Sequence, residues 1–168
     1  MPAQADFNEK TLPVLTVDAD EKTLRTQSIE IPVEEISTPQ FQDFLQTLYD
    51  SMIRHKLPKG WMHTGIAAVQ IGILKRVFYA YNVDTDSFDI FINPEITIEG
   101  EAQDIKTEGC LSIPEVSGPV RRFKKIRVKY YDENGERQQK RFADWNARVI
   151  QHEFDHLQGV LFIDKLEK

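Results

Sequence analysis

The stretch QHEFDHLQGVLF, residues 151–162, decides both the fold and the chemistry expected of this 168-residue chain. His152 and His156 stand four residues apart, so on a helix both imidazole rings project from one face and can bind one metal ion. Glu153 follows the first histidine, where its carboxylate can act as general base on a water molecule. Two buried core histidines beside a surface glutamate are the alternative, and they seldom occur at this spacing. The stretch therefore predicts a metallohydrolase.

The same stretch belongs to a predicted helix over residues 144–158, with Asp144 as its cap and Gly159 as its stop. Trp145 and Val149 lie on the same stripe of this helix as the two histidines, so the histidine pair should face the interior. The short apolar tail that follows, residues 160–163, is expected to form a strand.

Outward from this helix, the apolar pattern predicts a second helix over residues 39–55, with Thr38 as its cap and Pro39 in its first turn. Five strands are expected between the two helices, at residues 76–81, 88–92, 95–98, 125–131 and 136–142. The last two should form a hairpin through Asn134-Gly135. Strands grouped between two helices predict an α+β fold, with mixed or antiparallel sheets around the C-terminal metal-binding helix. We expect residues 1–168 to form a single domain.

Composition narrows the functional class. Hydrophobic residues make up 40% of the chain and charged residues 29%, which argues against disorder, and no apolar run is long enough to span a bilayer. A net charge of −6 argues against nucleic acid as the main partner. Residues 121–129 are basic, and their later part alternates basic and apolar residues as a half-exposed strand does, with contact to a polyanion as the alternative. No secretory signal is visible, and a single cysteine fits a reducing compartment. We therefore expect a cytoplasmic protein, or the processed form of an organellar one.

Two histidines leave a catalytic metal site one protein ligand short. The position where some HExxH hydrolases carry a third histidine holds Phe162, so the ligand should come from upstream. Cys110, in the compact segment EGCLS at residues 108–112, is the best candidate because a thiolate binds such ions strongly. His55, His63 or an acidic residue are the alternatives.

A third segment, GIAAVQ at residues 65–70, contains small residues that let the backbone approach a substrate closely. Gln70 carries an amide N–H group that could stabilise an oxyanion. A tightly packed strand or turn would give the same pattern, so this signal is weak when taken alone.

Taken together and in this order, GIAAVQ, EGCLS and QHEFDH at residues 151–156 resemble the three signature motifs of the peptide deformylase family. The second and third motifs match throughout, and the resemblance covers residues 12–165. It implies hydrolytic removal of the N-formyl group from the N-terminal methionine of newly made polypeptides, with release of formate. The expected partners are N-formylated nascent peptides, with no membrane and no direct nucleic-acid function.

The resemblance also implies roles for individual residues. Cys110, His152 and His156 would bind one divalent metal ion, iron(II) in the family, although zinc, nickel or cobalt can occupy the site. Glu153 would be general base and then general acid. The remaining residues expected in the catalytic or substrate site are Gln70 and the backbone N–H of Leu111 for the oxyanion, and Gly65, Thr64, Ile66, Trp145 and Val149 for the substrate.

One departure concerns the first motif, which in the family opens Gly-x-Gly, whereas here His63 and Thr64 precede Gly65. A histidine there predicts backbone strain if φ is positive, and partial positive charge near neutral pH. Another departure is that the chain ends soon after His156, which leaves ribosome contact open. The resemblance also predicts that the acid of the second motif, Glu108, pairs with Arg122.

Two other functions fit parts of the sequence. A zinc endopeptidase could use the same His-Glu-His helix, but the missing third histidine and the Cys110 segment count against it. A catalytically idle, metal-binding relative of the deformylases is the alternative from another class. The presence of both Glu153 and Gln70 argues against that alternative.

Overall fold

The computed structural model describes residues 11–168, which contain an α+β arrangement as predicted. The long helix near the N-terminal third begins as expected, since Thr38 Oγ1 accepts a hydrogen bond from the Phe41 N–H at 3.3 Å and Pro39 occupies its first turn. Among these described residues the helices are α1 (Val17–Leu24), α2 (Val33–Ile36), α3 (Pro39–Arg54) and α4 (Asp144–Leu157), and single 3-10 turns cover Ala68–Ile71 and Phe162–Lys165.

Residues 11–168 contain seven strands: β1 (Gly65–Ala67), β2 (Val77–Asn82), β3 (Ser87–Ile98), β4 (Gln103–Cys110), β5 (Ile113–Phe123), β6 (Lys125–Tyr131) and β7 (Arg137–Ala143). They form two antiparallel sheets. Five of them make one sheet in the order β1-β2-β3-β6-β7, and the other two pair as a separate ribbon, β4-β5. The predicted hairpin between β6 and β7 is present, and Gly135 takes a positive φ of 76° in its turn.

The five-stranded sheet separates two hydrophobic clusters that hold the two long helices in place. Ala147 and Ile150 of α4 pack in one cluster with Phe78, Phe91 and other sheet residues. The apolar stripe of α3 packs in the second cluster with residues of β1, β2 and β3. Amphipathic helices bury one face in this way, and here the packing brings α4 against β1, β2 and the ribbon. The predicted metal-binding helix thus lies at the junction of the two sheets.

Several local predictions are wrong. Residues 160–163 do not form a strand: the Leu161 N–H donates to Asp164 Oδ2 at 3.1 Å, and this contact closes the 3-10 turn Phe162–Lys165. The strands expected at 88–92 and 95–98 are one strand, β3, with an irregular register between Ile92 and Glu95. Asp144 is the first residue of α4 and makes no capping hydrogen bond there.

Other elements were not expected at all. Helix α1, the short helix α2 and the whole β4-β5 ribbon escaped prediction, although the ribbon carries Cys110. Within residues 11–168, no helix is both long enough and apolar enough to cross a membrane.

Candidate metal centre and active site

The ligand atoms of Cys110, His152 and His156 lie within 4.8 Å of one another, as three ligands of one ion require. The two histidines are on neighbouring turns of α4, and Cys110 is the last residue of β4. Cys110 Sγ lies 3.4 Å from Nε2 of His156. A thiolate with two imidazoles is a donor set suited to zinc and other first-row divalent metals.

The protonation of both histidines is set by their surroundings. Burial lowers the pKa of His156 well below its ordinary value, which keeps this imidazole neutral and able to bind a metal. Burial also acts to lower the pKa of His152, but hydrogen bonds with Cys110 and the Glu108 carboxylate raise it well above its ordinary value. A metal ion binds an imidazole nitrogen only when that nitrogen carries no proton.

A buried ion network behind the ligands fixes the orientation of His152. Glu108 Oε1 lies 2.8 Å from His152 Nδ1, which turns the other ring nitrogen toward the cluster. The predicted pair with Arg122 is present, with both carboxylate oxygens of Glu108 accepting hydrogen bonds at 2.9 Å. Burial alone would raise the pKa of Glu108, but the hydrogen bonds from Arg122 and His152 hold it well below its usual range.

Two further members of this network were missed from the sequence. Arg148 Nη1 donates to Glu108 at 2.6 Å, and Arg122 Nη1 donates to Asp155 at the same distance. Both arginines are only 3% exposed, so each depends on these carboxylates for its charge balance. Arg148 could have been found from the sequence, because it lies one helical turn before His152 on the buried stripe.

Glu153 lies in a different environment from Glu108. It is 3% exposed, and its Oε2 atom has no hydrogen-bond partner in the described part of the chain. Burial raises its pKa to about 7, which suits a group that must both accept and donate a proton near neutral pH. A Cβ atom added to Gly65 would lie 2.7 Å from Glu153 Oε1 and 2.6 Å from the Tyr79 carbonyl oxygen. Only glycine therefore fits beside this carboxylate.

Gln70 lies on the 3-10 turn after β1, with its side chain held at both ends. Its Oε1 atom accepts from the Ala67 N–H at 2.9 Å, which fixes the amide so that Nε2 points toward the ribbon. Nε2 donates to Ser112 Oγ at 3.1 Å and lies 3.6 Å from Cys110 Sγ. A fixed amide N–H next to the metal ligands is the arrangement expected of an oxyanion donor.

These groups open into a cavity of about 490 Å³. Its lining includes most of the residues expected from the sequence, namely Thr64, Gly65, Gln70, Cys110, Leu111, Trp145, Val149, His152 and Glu153. Ile66 is the exception among the expected substrate contacts. Its side chain is fully buried in the cluster around α3, and the strand register sets it opposite Tyr79 of β2. We therefore leave Ile66 out of the substrate site.

His63 also lines the cavity, but the condition for backbone strain is not met there, and the expected partial positive charge is not supported. Among residues 11–168 the only non-glycine residues with positive φ are Asp86, Asn93 and Asp144, so His63 carries no left-handed strain. Its pKa is lowered by burial and by the neighbouring His55, which keeps the ring neutral near pH 7.

Comparison with known proteins places these features in a family. The family model described as polypeptide deformylase matches residues 12–168. The peptide deformylase of Pseudothermotoga lettingae is 42% identical over 132 residues, which cover 79% of this chain and 70% of that protein. The enzyme of Wolbachia pipientis wMel is 36% identical over 169 residues, covering 94% of this chain and 88% of its own.

Solved structures agree in fold. The crystal structure of peptide deformylase from Thermotoga maritima superposes with a TM-score of 0.82 at 30% identity, covering 94% of this chain and 99% of that one. A Met-Ala-Ser-bound class I type b peptide deformylase from Acinetobacter baumannii gives a TM-score of 0.81 at 29% identity, covering 93% of this chain and 98% of its own.

Each of these relatives is a peptide deformylase, and none supports the zinc endopeptidase or the idle metal-binding protein. Family match, sequence identity and fold agree over nearly the whole described chain. The chain therefore belongs to the peptide deformylase family, the metal-dependent hydrolases of protein biosynthesis that remove the N-formyl group from the N-terminal methionine of new polypeptides.

Proposed function

We propose that this chain deformylates N-formyl-methionyl peptides with one divalent metal ion held by Cys110, His152 and His156. The observation that carries the proposal is the convergence of these three ligand atoms beside the buried Glu153 carboxylate. We propose iron(II) as the ion in the cell, with zinc, nickel or cobalt able to replace it. When bound, such an ion polarises a carbonyl group and lowers the pKa of water.

The side chains around the ion would carry the proton and the developing charge. Glu153 accepts a proton from the water that attacks the formyl carbon, and then donates it to the departing amine. Its raised pKa supports both steps. The Gln70 amide and the Leu111 backbone N–H donate hydrogen bonds to the formyl oxygen as it becomes negative, and loss of one such donor costs about 100- to 1000-fold in rate.

The strand edges that border the cavity support a peptide as the substrate. β1 pairs only with β2 and β4 only with β5 in the described chain, so each has an unpaired edge. Residues of both edges line the cavity, with Thr64 and Gly65 on one side and 107–110 on the other. An extended peptide between them can add backbone hydrogen bonds to both edges. In this position Gly65 contacts the substrate backbone, and Trp145 and Val149 contact the methionine side chain.

The expected cellular substrates are N-formylated nascent chains, and we propose that the protein acts on them in the cytoplasm. Co-sedimentation with translating ribosomes tests whether it also docks there. A pellet fraction that contains the protein after RNase-free washing supports docking, and recovery only in the supernatant argues for action on released chains.

The activity itself is tested with one assay on anaerobically purified, metal-loaded protein. Formate release from formyl-Met-Ala-Ser is measured beside cleavage of an internal peptide bond in an unformylated peptide. We expect formate and no internal cleavage. Internal cleavage without formate would establish the endopeptidase alternative, and neither product would establish the idle one.

A further inference from the structure

The segment between α3 and β1, residues 55–64, forms one rim of the cavity, and we call it the rim segment. It contains Trp61 and Met62, which are 59% and 57% exposed although both are large and apolar. The Trp61 N–H donates to the Pro58 carbonyl at 3.1 Å, and Gly60 between them has a positive φ of 86°. Trp61 is thus held on this tight turn among the residues that line the cavity. Exposed apolar side chains beside a functional cavity commonly mark a binding surface.

Trp61 reaches across to the ribbon. A Cβ atom added to Gly109 would lie 3.3 Å from Cζ3 and 3.6 Å from Cη2 of the indole ring. The ring therefore lies against the bare backbone of Gly109, one residue before Cys110. Glu108 points toward α4, where it contacts Arg148 and His152. Because successive strand residues face opposite sides, the Gly109 position faces away from α4. Trp61 therefore covers that side of β4.

The strand directions determine which part of a peptide passes this ring. β1 leads toward Gln70 and β4 ends at Cys110, so both strands run toward the metal centre. A peptide whose formyl group lies at the metal centre must run away from it, antiparallel to both strands, and so passes Gly109. Its first side chain lies on the α4 side, against Val149. Its second side chain then points to the opposite side, toward Trp61.

We propose that Trp61 forms a subsite for the side chain of the residue that follows the formylated methionine, and that this subsite selects large apolar side chains. The inference rests on the proposed deformylase function. An indole ring that is more than half exposed gains most by covering apolar surface, and a cation–π contact with a basic side chain at so exposed a site is the smaller gain. The alternative is a ring that only shields Gly109 and does not contact substrate.

Kinetics with a peptide series separate these two cases. Formate release is measured for formyl-Met-X-Ser, where X is Gly, Ala, Leu, Phe, Lys or Glu, on metal-loaded wild type and on the variants Trp61→Ala and Trp61→Phe. We expect kcat/KM to be about tenfold higher for Leu and Phe than for Gly, which is equivalent to about 1.4 kcal/mol. Trp61→Ala should remove this preference and leave the Gly peptide within about twofold of wild type. Trp61→Phe should retain part of it.

One control variant and three contrary results test the proposed subsite. Val83→Ala removes an apolar side chain that is 50% exposed and lies outside the cavity lining, so it should leave the preference unchanged. A wild type that releases formate at equal rates for every X would overturn the subsite while the deformylase function stands. A Trp61→Ala variant that slows all peptides by one common factor would show that the ring is structural. No formate from any peptide would refute the proposed function itself.

Binding can be followed without turnover, because the chain has two tryptophans and both line the cavity. In a Trp145→Phe background, Trp61 is the remaining tryptophan, and its emission can be excited selectively at the red edge of the absorption band, where tyrosine does not absorb. Titration with the product peptides Met-Phe-Ser and Met-Gly-Ser should shift or quench its emission far more for the Phe peptide at equal occupancy. Equal responses to the two saturating peptides would contradict the proposal.

Discussion

The floor of the cavity, which is formed by Glu108 and the residues that bind its side chain, and the rim segment around Trp61 are held in place in different ways. On the floor, the side chain of Glu108 is bound by Arg122, Arg148 and His152, and all four residues are largely buried. On the rim, Trp61 is more than half exposed, and the turn that presents it is closed by a local backbone hydrogen bond to Pro58. The floor is thus held by several buried ion pairs, whereas the turn that presents Trp61 is closed by one local hydrogen bond.

We therefore expect residues of the floor and residues of the rim to have different functions. Positions on the floor have to hold ligand atoms and one carboxylate within tenths of an ångström, because the metal and the proton transfer both depend on geometry. Positions on the rim meet the variable part of the substrate. Substitutions on the floor should therefore abolish metal binding, turnover or folding, and substitutions on the rim should change which peptides are accepted.

Glu153→Ala provides the largest expected effect. Turnover should fall by about 100- to 10,000-fold, because the group that moves the proton is lost. Metal content should stay at the wild-type level, because Glu153 is not among the three clustered ligand residues. Formate release and elemental analysis on the same sample check both parts. A variant that loses its metal ion as well as its activity would indicate that Glu153 is a metal ligand, and its assignment as general base alone would be wrong.

Cys110→Ser should weaken metal binding and shift preference away from thiophilic ions, since a hydroxyl oxygen is a harder and poorer ligand than a thiolate. Competition between zinc and magnesium or manganese, followed by metal analysis, measures the shift. Retention of full metal content and activity would remove Cys110 from the site and return the third-ligand role to His55, His63 or an acidic residue.

Arg122→Ala tests the network behind the ligands. Glu108 and Asp155 would each lose a buried partner, so the free energy of unfolding should fall by about 3–5 kcal/mol. The neighbouring Arg121→Ala is a matched control: Arg121 is exposed and pairs with Glu167 on the surface, where such a pair is worth about 1 kcal/mol or less. Denaturant unfolding of both variants decides the matter. Equal losses for the two would show that the buried network contributes nothing special.

His63→Gly should have the smallest effect of the four. His63 has no positive φ to relieve, so glycine brings no gain and should lower the free energy of unfolding by up to about 1 kcal/mol through the greater freedom of the unfolded chain. Formyl-Met turnover should stay within about tenfold of wild type, while the tolerance for other formylated residues widens. Peptides beginning with formyl-Met, formyl-Leu and formyl-Phe provide the measurement. Activity found only in the variant would mean that wild type is idle.

The sequence predicts best where residue type and spacing follow from one physical cause. The periodic stripe of α3, the Asn134-Gly135 turn and the histidine pair on α4 are such cases, and the structure contains all three. The β4-β5 ribbon was missed. Its strand β4 is mostly exposed and lacks apolar alternation, and the one buried residue of β4 before Cys110 is the charged Glu108.

The site shows the same boundary between what was predictable and what was not. Cys110 and Glu153 could be identified because their motifs are specific, and the resemblance also suggested the Glu108–Arg122 pair. Arg148 and Asp155 were missed because a charged residue on a helix ordinarily indicates an exposed face. Trp61 carries no motif at all, and its position over Gly109 depends on how the rim segment crosses to the ribbon.

A crystal structure of the anaerobically purified, metal-loaded protein tests the central claim most directly. We expect one ion, located by its anomalous signal, at about 2.3 Å from Cys110 Sγ and about 2.0–2.1 Å from one nitrogen each of His152 and His156. Glu153 should remain outside the coordination sphere, beside Gly65. An ion coordinated by Glu153 or His63, or one that leaves Cys110 free, would contradict it.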